Sequence, residues 1–175
     1  LNVRRQRQMC IRDRSLIEVG EVEKAEEILD LSFEKMPLHF FGYYTLSEPY
    51  INTYYSLNRF DKGYSLYKEI ENKYFEYVEY YSGSYNNENF KISENAENIF
   101  TYTERLRSLI ENQIQSKHKF IEIESSIERF IRLTTVYKDL YGSYDYYNYL
   151  TSFLEPLYEL NMDKGRTLYL SLIHI

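Results

Sequence analysis

The stretch Gly20–Pro37, GEVEKAEEILDLSFEKMP, decides how the rest of the chain can be interpreted. Ala25 is followed by Leu29 four residues later and by Ser32 three residues after that, and a proline closes the stretch. Positions i, i+4 and i+7 share one face of a helix, small side chains let two helices approach closely, and proline cannot continue a helix. The stretch therefore predicts a helix over Glu21–Met36 that packs closely against another helix.

These spacings are typical of the second helix of a tetratricopeptide-like repeat, in which hairpins of two helices stack side by side. A related turn begins at Asn58, 38 residues after Gly20, and it places Gly63 where the first stretch has Ala25. The usual period is about 34 residues, and the extra residues fall in 37–45, which we predict to be a loop. We expect an all-α fold, an antiparallel helix-hairpin array of the tetratricopeptide-like α-solenoid kind. The alternative is an ordinary amphipathic helix that matches by chance.

Helical spacing and start and stop signals predict further helices. In chain order we expect the end of a helix at Ser15–Val19 and a helix over Pro49–Leu57 begun by Ser47-Glu48-Pro49. The turn and helix entry at Asn58–Gly63 should lead into a helix that ends at Ser82-Gly83. Further helices are expected over Ser93–Ile114, capped by Ser93, over Phe120–Leu140, and over Asp145–Leu160, where Pro156 should kink the helix or mark a restart. Two of them have clear inward faces: Ala96, Ile99, Phe100, Thr103, Leu106, Ile110 and Ile114, then Phe120, Ile123, Ile127, Phe130, Ile131, Thr134 and Tyr137. The run Phe120–Ile123 could instead form a strand.

Residues 15–170 are therefore predicted to form a single helical repeat domain. Repeats are expected near 15–37, 47–82 and 145–170, with a helical pair over 93–141 between the last two. The third repeat rests on a match between Leu57–Tyr67 and Leu160–Tyr169 with one residue deleted.

Both ends differ from this pattern. Arg4–Arg14, RRQRQMCIRDR, has no apolar periodicity and resembles the translated read-through of a sequencing-library adapter, and Ser171–Ile175, SLIHI, resembles another frame of such an adapter. We expect residues 1–14 and 171–175 to be artefacts outside the fold; the alternative for the arginines is a basic arm for phosphate or acidic lipid. Residues 1–14 carry five Arg and one Asp, a net +4, so without them the charge falls from −6 to −10.

Composition excludes several classes of function. The acidic balance argues against a nucleic-acid groove or an anionic membrane surface as partner. A single cysteine, Cys10, excludes an internal disulfide. No stretch approaches the roughly 20 apolar residues of a membrane span, so we expect none in this chain.

No catalytic, cofactor-binding or metal-binding residue is predicted, and no cofactor. His39 and His118 lack metal-ligand spacing; we expect His39 in a loop or interface and His118 in solvent. The acidic run Glu21, Glu23, Glu26 and Glu27 suits the positive end of a helix. The tyrosines at 43–44, 54–55, 77–81 and 144–149 are expected in core and inter-repeat packing, or alternatively along a groove for a sugar or peptide.

Three segments together resemble a known family: SLIEVGEVEKAEEILDLSFEKMP at 15–37, EYVEYY at 76–81 and ENAENIFTYTERLRSLIE at 94–111. Across roughly Ser15–Glu111 the chain resembles the soluble C-terminal tail of bacterial multi-spanning membrane proteins related to protein O-mannosyltransferases. That family has long been called a domain of unknown function. The resemblance implies a parent membrane glycosyltransferase of the polyprenyl-linked-sugar class, a catalytic domain upstream of residue 1, and an extracytoplasmic tail at the bacterial inner membrane. It carries no catalytic residue onto this chain.

We therefore expect a non-catalytic scaffold or interaction tail of a membrane glycosyltransferase-like protein, whose partner is another protein or its own upstream membrane domain. The alternative is a stand-alone tetratricopeptide adaptor that binds a peptide or protein. A soluble enzyme is the third and weakest hypothesis.

Overall fold

The computed structural model describes residues 15–16, 19–42, 44–85, 92–116, 120–134, 138, 142, 148–150 and 152. The helices of this part of the chain are α1 (Val22–Lys35), α2 (Leu38–Phe41), α3 (Tyr44–Ser56), α4 (Phe60–Tyr85), α5 (Ile92–Gln115) and α6 (Phe120–Thr134), and no strand occurs in it. The all-α prediction is confirmed, and the strand considered at Phe120–Ile123 is wrong. The chain divides into two compact units, residues 1–70 and 71–175.

The first turn and the helix after it form as predicted. Gly20 adopts a left-handed conformation with φ of 80°, and the Glu21 N–H donates to the Leu16 carbonyl at 2.9 Å. Such a hydrogen bond across a left-handed residue satisfies a carbonyl at the end of the preceding helix. Helix α1 then runs over Val22–Lys35, one residue inside each end of the predicted span.

The second turn repeats the first one. Asn58 is the one non-glycine residue with positive φ among the described residues, at 58°, and the Arg59 N–H donates to the Tyr54 carbonyl at 2.8 Å. A further bond of 3.0 Å from the Asn58 N–H to Tyr55 completes the paired hydrogen bonds of a Schellman turn. Helix α4 begins at Phe60. The positive φ of Asn58 and the bond from Arg59 to Tyr54 lie 38 residues after the positive φ of Gly20 and the bond from Glu21 to Leu16, so these features of the backbone agree with the predicted alignment of the two turns.

The inward positions of the two aligned helices are also equivalent. They are buried in both helices: Ala25, Leu29 and Ser32 in α1, and Gly63, Tyr67 and Ile70 in α4. Gly63 allows α3 and α4 to meet, because a Cβ atom there would overlap the Tyr55 ring and lie 3.2 Å from the Ile51 carbonyl oxygen. Two positions depart from this pattern. Ile70 is large where a small residue like Ser32 was expected, and Val22, three residues before Ala25 and so at the spacing of the inward positions, is 39% exposed.

The segment between α1 and α4 differs from the prediction. Residues 37–45 are not a continuous loop, because Leu38–Phe41 forms a short helix that Gly42 ends with φ of 67°. Helix α3 begins at Tyr44 rather than at Ser47–Pro49, so that Pro49 lies inside it.

Burial explains the earlier start of α3. Tyr44, Ser47 and Ile51 are all buried, and at spacings of three and four they share one face only if the helix already includes Tyr44. Proline at position 49 removes one backbone hydrogen bond of the helix. The buried face outweighs that cost, which the local proline signal alone could not show.

In the unit of residues 71–175, α5 and α6 pack against each other. Their buried positions include most of the predicted inward faces: Ile99, Thr103, Leu106, Ile110 and Ile114 in α5, and Ile123, Ile127, Phe130 and Thr134 in α6. Phe100 was expected inward but is 47% exposed. It lies one residue after Ile99, at the edge of the apolar stripe, where helical rotation turns a side chain about 100° away.

Two other predictions concern the ends of helices. Helix α4 continues past the expected end at Gly83 to Tyr85, and Gly83 is not among the residues with positive φ. Helix α5 begins at Ile92, one residue before the expected cap at Ser93.

Some predictions fall on segments outside the described residues. These segments are most of the expected third repeat at 145–170, including Pro156, and residues 1–14 and 171–175. No helix of the described chain is both long and apolar enough to cross a membrane.

Candidate functional site

A groove lies on the unit of residues 1–70, with a cavity volume of about 450 Å³. Four helices and the α1–α2 connection contribute to it, and its lining residues are Asp30, Phe33, Pro37, Leu38, His39, Tyr54, Lys62, Ser65, Leu66 and Glu69. No helix contributes more than four of these ten residues, so the shape of the groove depends on how α1, α2 and α3 pack with the beginning of α4.

The floor of the groove is aromatic and aliphatic. Phe33 packs edge-on against Tyr50, with ring centroids 5.4 Å apart, and it stacks with Tyr54 at 6.3 Å. Leu38 and Leu66 are both buried beside them. These contacts hold the ring of Phe33, itself only half-buried, in a fixed orientation at the groove.

A closed network of charges joins α1 to the start of α4, and two of its members, Asp30 and Lys62, line the groove. Lys62 donates from Nζ to Glu26 at 2.7 Å and to Asp30 at 2.5 Å. Arg59 donates to the second oxygen of Glu26 at 2.7 Å, and the Tyr54 hydroxyl donates to the second oxygen of Asp30 at 2.9 Å. Two acids and two bases balance each other here, and all four carboxylate oxygens accept a hydrogen bond.

The network shifts two ionisation equilibria. Hydrogen bonds from Lys62 and then Arg59 stabilise the Glu26 carboxylate and hold its pKa below the ordinary value of 4.5. Hydrogen bonds to Asp30 and then Glu26 raise the pKa of Lys62 above 10.5. Both shifts favour the charged forms, so the network is intact from weakly acidic to alkaline pH.

Glu26→Gln is expected to lower the free energy of unfolding by about 1 kcal/mol at neutral pH, since the network is partly exposed to solvent. The pKa of Glu26 is lowered by folding, so its contribution is present above pH 4.5 and is lost as the pH falls through the folded-state pKa. Because the pKa of Lys62 is raised, its contribution is lost only as the pH rises above 10.5. Urea unfolding of the wild type and of Glu26→Gln at pH 7 and at about pH 3 measures the difference between their free energies of unfolding. That difference should be smaller at the lower pH.

Glu27→Gln is the matched control, since Glu27 is an exposed glutamate of the same helix that makes no ion pair with the described residues. It should change the unfolding free energy little at either pH. A Glu26→Gln effect that stays constant between the two pH values would contradict the network.

Two groups on the rim of the groove have no partner in the described part of the chain. Glu69 and His39 are exposed, and neither makes a hydrogen bond or ion pair there. They are therefore available to a ligand, whereas Asp30 and Lys62 are already engaged with each other.

Glu21 and Glu26 of the acidic run make ion pairs, Glu27 makes none with the described residues, and one of the two histidines considered from the sequence falls outside the described chain. Glu21 pairs with Lys24 at 2.7 Å, and Glu26 belongs to the network rather than only to the start of a helix. His118 lies outside the described residues. In the described ranges no group of three or more His, Cys, Asp or Glu side chains could hold a metal ion.

The tyrosine clusters divide between core and surface. Tyr44 and Tyr54 are buried. In the second unit, the ring centroid of Tyr102 lies 4.5 Å from that of Tyr77. The Tyr102 ring also stacks on Tyr81, with centroids 5.7 Å apart and an interplanar angle of 8°. The tyrosines at 43 and at 144–147 lie outside the described residues. Packing therefore accounts for most of the described clusters, and Tyr54 alone of these residues contributes to the groove.

No family model, curated protein or solved structure matches the chain. The groove must be interpreted from its own geometry.

This groove could not be predicted directly from the amino-acid sequence. The charged network beside it joins residues more than 30 positions apart, and single-sequence periodicity does not report such pairs. One signal was present: Asp30 follows the buried Leu29, and Lys62 precedes the buried Gly63. Charged residues next to the inward positions of two neighbouring helices lie at the seam between them.

Proposed function

We propose that the chain is a non-catalytic helical-repeat interaction module that binds an extended protein segment in the groove of residues 1–70. The observation that supports this most directly is the recurrence of one turn and helix entry after 38 residues. Stacked repeats of this kind form extended surfaces on which they bind other proteins, and a tetratricopeptide-like arrangement would account for the close contact at Gly63.

The groove supplies what peptide binding needs. Its floor of Phe33, Leu38, Tyr54 and Leu66 can receive an apolar side chain, and its rim offers Glu69 and His39 as polar groups without a partner in the described chain. Interfaces typically combine such an apolar centre with a polar rim.

A selection from a short-peptide phage library against the full chain tests this proposal. Peptides selected on the wild type should bind at least about tenfold more weakly to Ser65→Trp, a loss of roughly 1.4 kcal/mol, because the indole fills the groove. Ser65 is exposed and lines the groove, whereas Asn52 is exposed on α3 and does not. Asn52→Trp is therefore the control and should leave binding unchanged. No enriched peptide, or equal binding to all three proteins, would contradict the proposal.

We also propose that this module is a scaffold or interaction tail of a membrane glycosyltransferase-like protein, on the extracytoplasmic side of the bacterial inner membrane. The resemblance across roughly Ser15–Glu111 supports this, and in that setting the groove would receive a partner protein or a segment of the upstream membrane domain. Sequencing the source gene upstream of the codon for Ser15, from DNA free of adapter sequence, tests the proposal. We expect an open reading frame encoding several membrane spans, and an upstream frame that encodes none would contradict it.

A further inference from the structure

The charges around the groove leave one acid uncompensated. Asp30 is neutralised by Lys62 at 2.5 Å, and Glu26 is held between Lys62 and Arg59. Glu69 lines the same groove, is exposed, and has no ion pair with the described residues. A ligand in the groove therefore meets a net negative charge at the Glu69 end.

Glu69 is also close to the apolar floor. Leu66 precedes Glu69 by three residues on α4, and side chains at that spacing on a helix have Cβ atoms about 5–6 Å apart. In an extended peptide, residues two apart point to the same side and lie about 6.5–7 Å from each other. One peptide side chain can thus cover Leu66 and Phe33 while the next on the same side reaches Glu69.

We infer that the groove selects an extended peptide in which a large apolar residue and a Lys or Arg two positions away face the same side. This inference rests on the proposed function and specifies its partner. The apolar residue covers Phe33 and Leu66, and the cation pairs with the Glu69 carboxylate. A Lys or Arg side chain suits this position, because its aliphatic stem can lie along the apolar floor while its charged group stays at the solvent-exposed rim.

Three matched pools of fluorescent peptides test the selectivity. All share Leu or Phe at one position and differ two positions away, where they carry Lys, Gln or Glu; the other positions are randomised among small polar residues. Fluorescence anisotropy with the full chain gives the dissociation constant for each pool. We expect the Lys pool to bind about three- to tenfold more tightly than the Glu pool at low salt, a range typical of rim charges. The preference should disappear at about 1 M salt, where charges are screened within about 3 Å.

Charge variants assign the preference to one residue. Glu69→Gln should remove the difference between the pools, and Glu69→Lys should reverse it in favour of the Glu pool. Glu27→Lys is the matched control: Glu27 is exposed, lies in the same unit and outside the groove lining, and likewise has no ion pair with the described residues. It should retain the wild-type order of the pools.

The outcomes separate this inference from the proposed function. Binding that Ser65→Trp abolishes, but that is as tight for the Gln or Glu pool as for the Lys pool, overturns the inference and leaves the peptide groove standing. Failure of every pool to bind, together with a phage selection that enriches nothing, overturns both. A dimer of the chain in sedimentation experiments that Ser65→Trp dissociates would show that a second copy occupies the groove, and this too would overturn the inference.

Discussion

Gly63→Leu is expected to lower the free energy of unfolding by about 1–3 kcal/mol, the cost of overpacking a close contact. Even a Cβ atom at this position would overlap the ring of Tyr55, which would have to rotate away. The carbonyl oxygen of Ile51, at 3.2 Å, belongs to the α3 backbone and has less freedom to move. Equilibrium urea unfolding followed by circular dichroism measures the change.

Gly83→Leu is the control for this substitution. Gly83 is also a glycine within α4, but a Cβ atom added there meets nothing within 4 Å. Leucine favours a helix over glycine by up to about 1 kcal/mol, so this variant should be as stable as the wild type or slightly more stable. A Gly63→Leu protein with an unchanged unfolding midpoint would contradict the packing of α3 on α4.

Phe130→Ala is expected to lower the free energy of unfolding by about 3–5 kcal/mol. The Phe130 side chain is fully buried in α6, and its ring lies 6.3 Å from that of Tyr149. Its removal would leave a cavity on the helix that packs against α5. Thermal and urea unfolding of the variant measure the loss.

Phe100→Ala makes the same chemical change where the side chain is 47% exposed. It should cost less than about 1 kcal/mol, because less apolar surface returns to water and no closed cavity forms. The sequence pattern alone placed both phenylalanines inward, so the pair tests the structure against that pattern. Equal losses in the two variants would show that Phe100 is buried after all.

Features set by neighbouring residues could be predicted from the sequence. The bounds of α1 follow from Gly20, the apolar spacing and Pro37, all of which act within a few turns of one another. The second turn was predicted because the residues from Asn58 to Gly63 align with those from Gly20 to Ala25, and asparagine tolerates a left-handed conformation better than most residues. Asn58 was therefore a credible counterpart of Gly20, and its φ of 58° agrees with that.

Features set by contacts between distant residues could not be predicted in the same way. Pro49 is a strong local signal for a helix start, but the buried faces of Tyr44 and Ser47 extend α3 one turn earlier. The candidate site is of the same kind, since Glu26 meets Arg59 and Lys62 only after the helices pack. Glu69 could not be identified from the sequence, because whether it has a partner depends on which charged side chains the packed helices place beside it.

Couplings across backbone hydrogen bonds, measured by nuclear magnetic resonance on the isotope-labelled full chain, show whether the turn at Gly20 recurs at Asn58. We predict one coupling between the Glu21 amide and the Leu16 carbonyl and a second between the Arg59 amide and the Tyr54 carbonyl, at the two ends of a 38-residue interval. If the Arg59 amide is instead coupled to the Tyr55 carbonyl, as in an uninterrupted helix, the second turn does not exist and the repeat is contradicted.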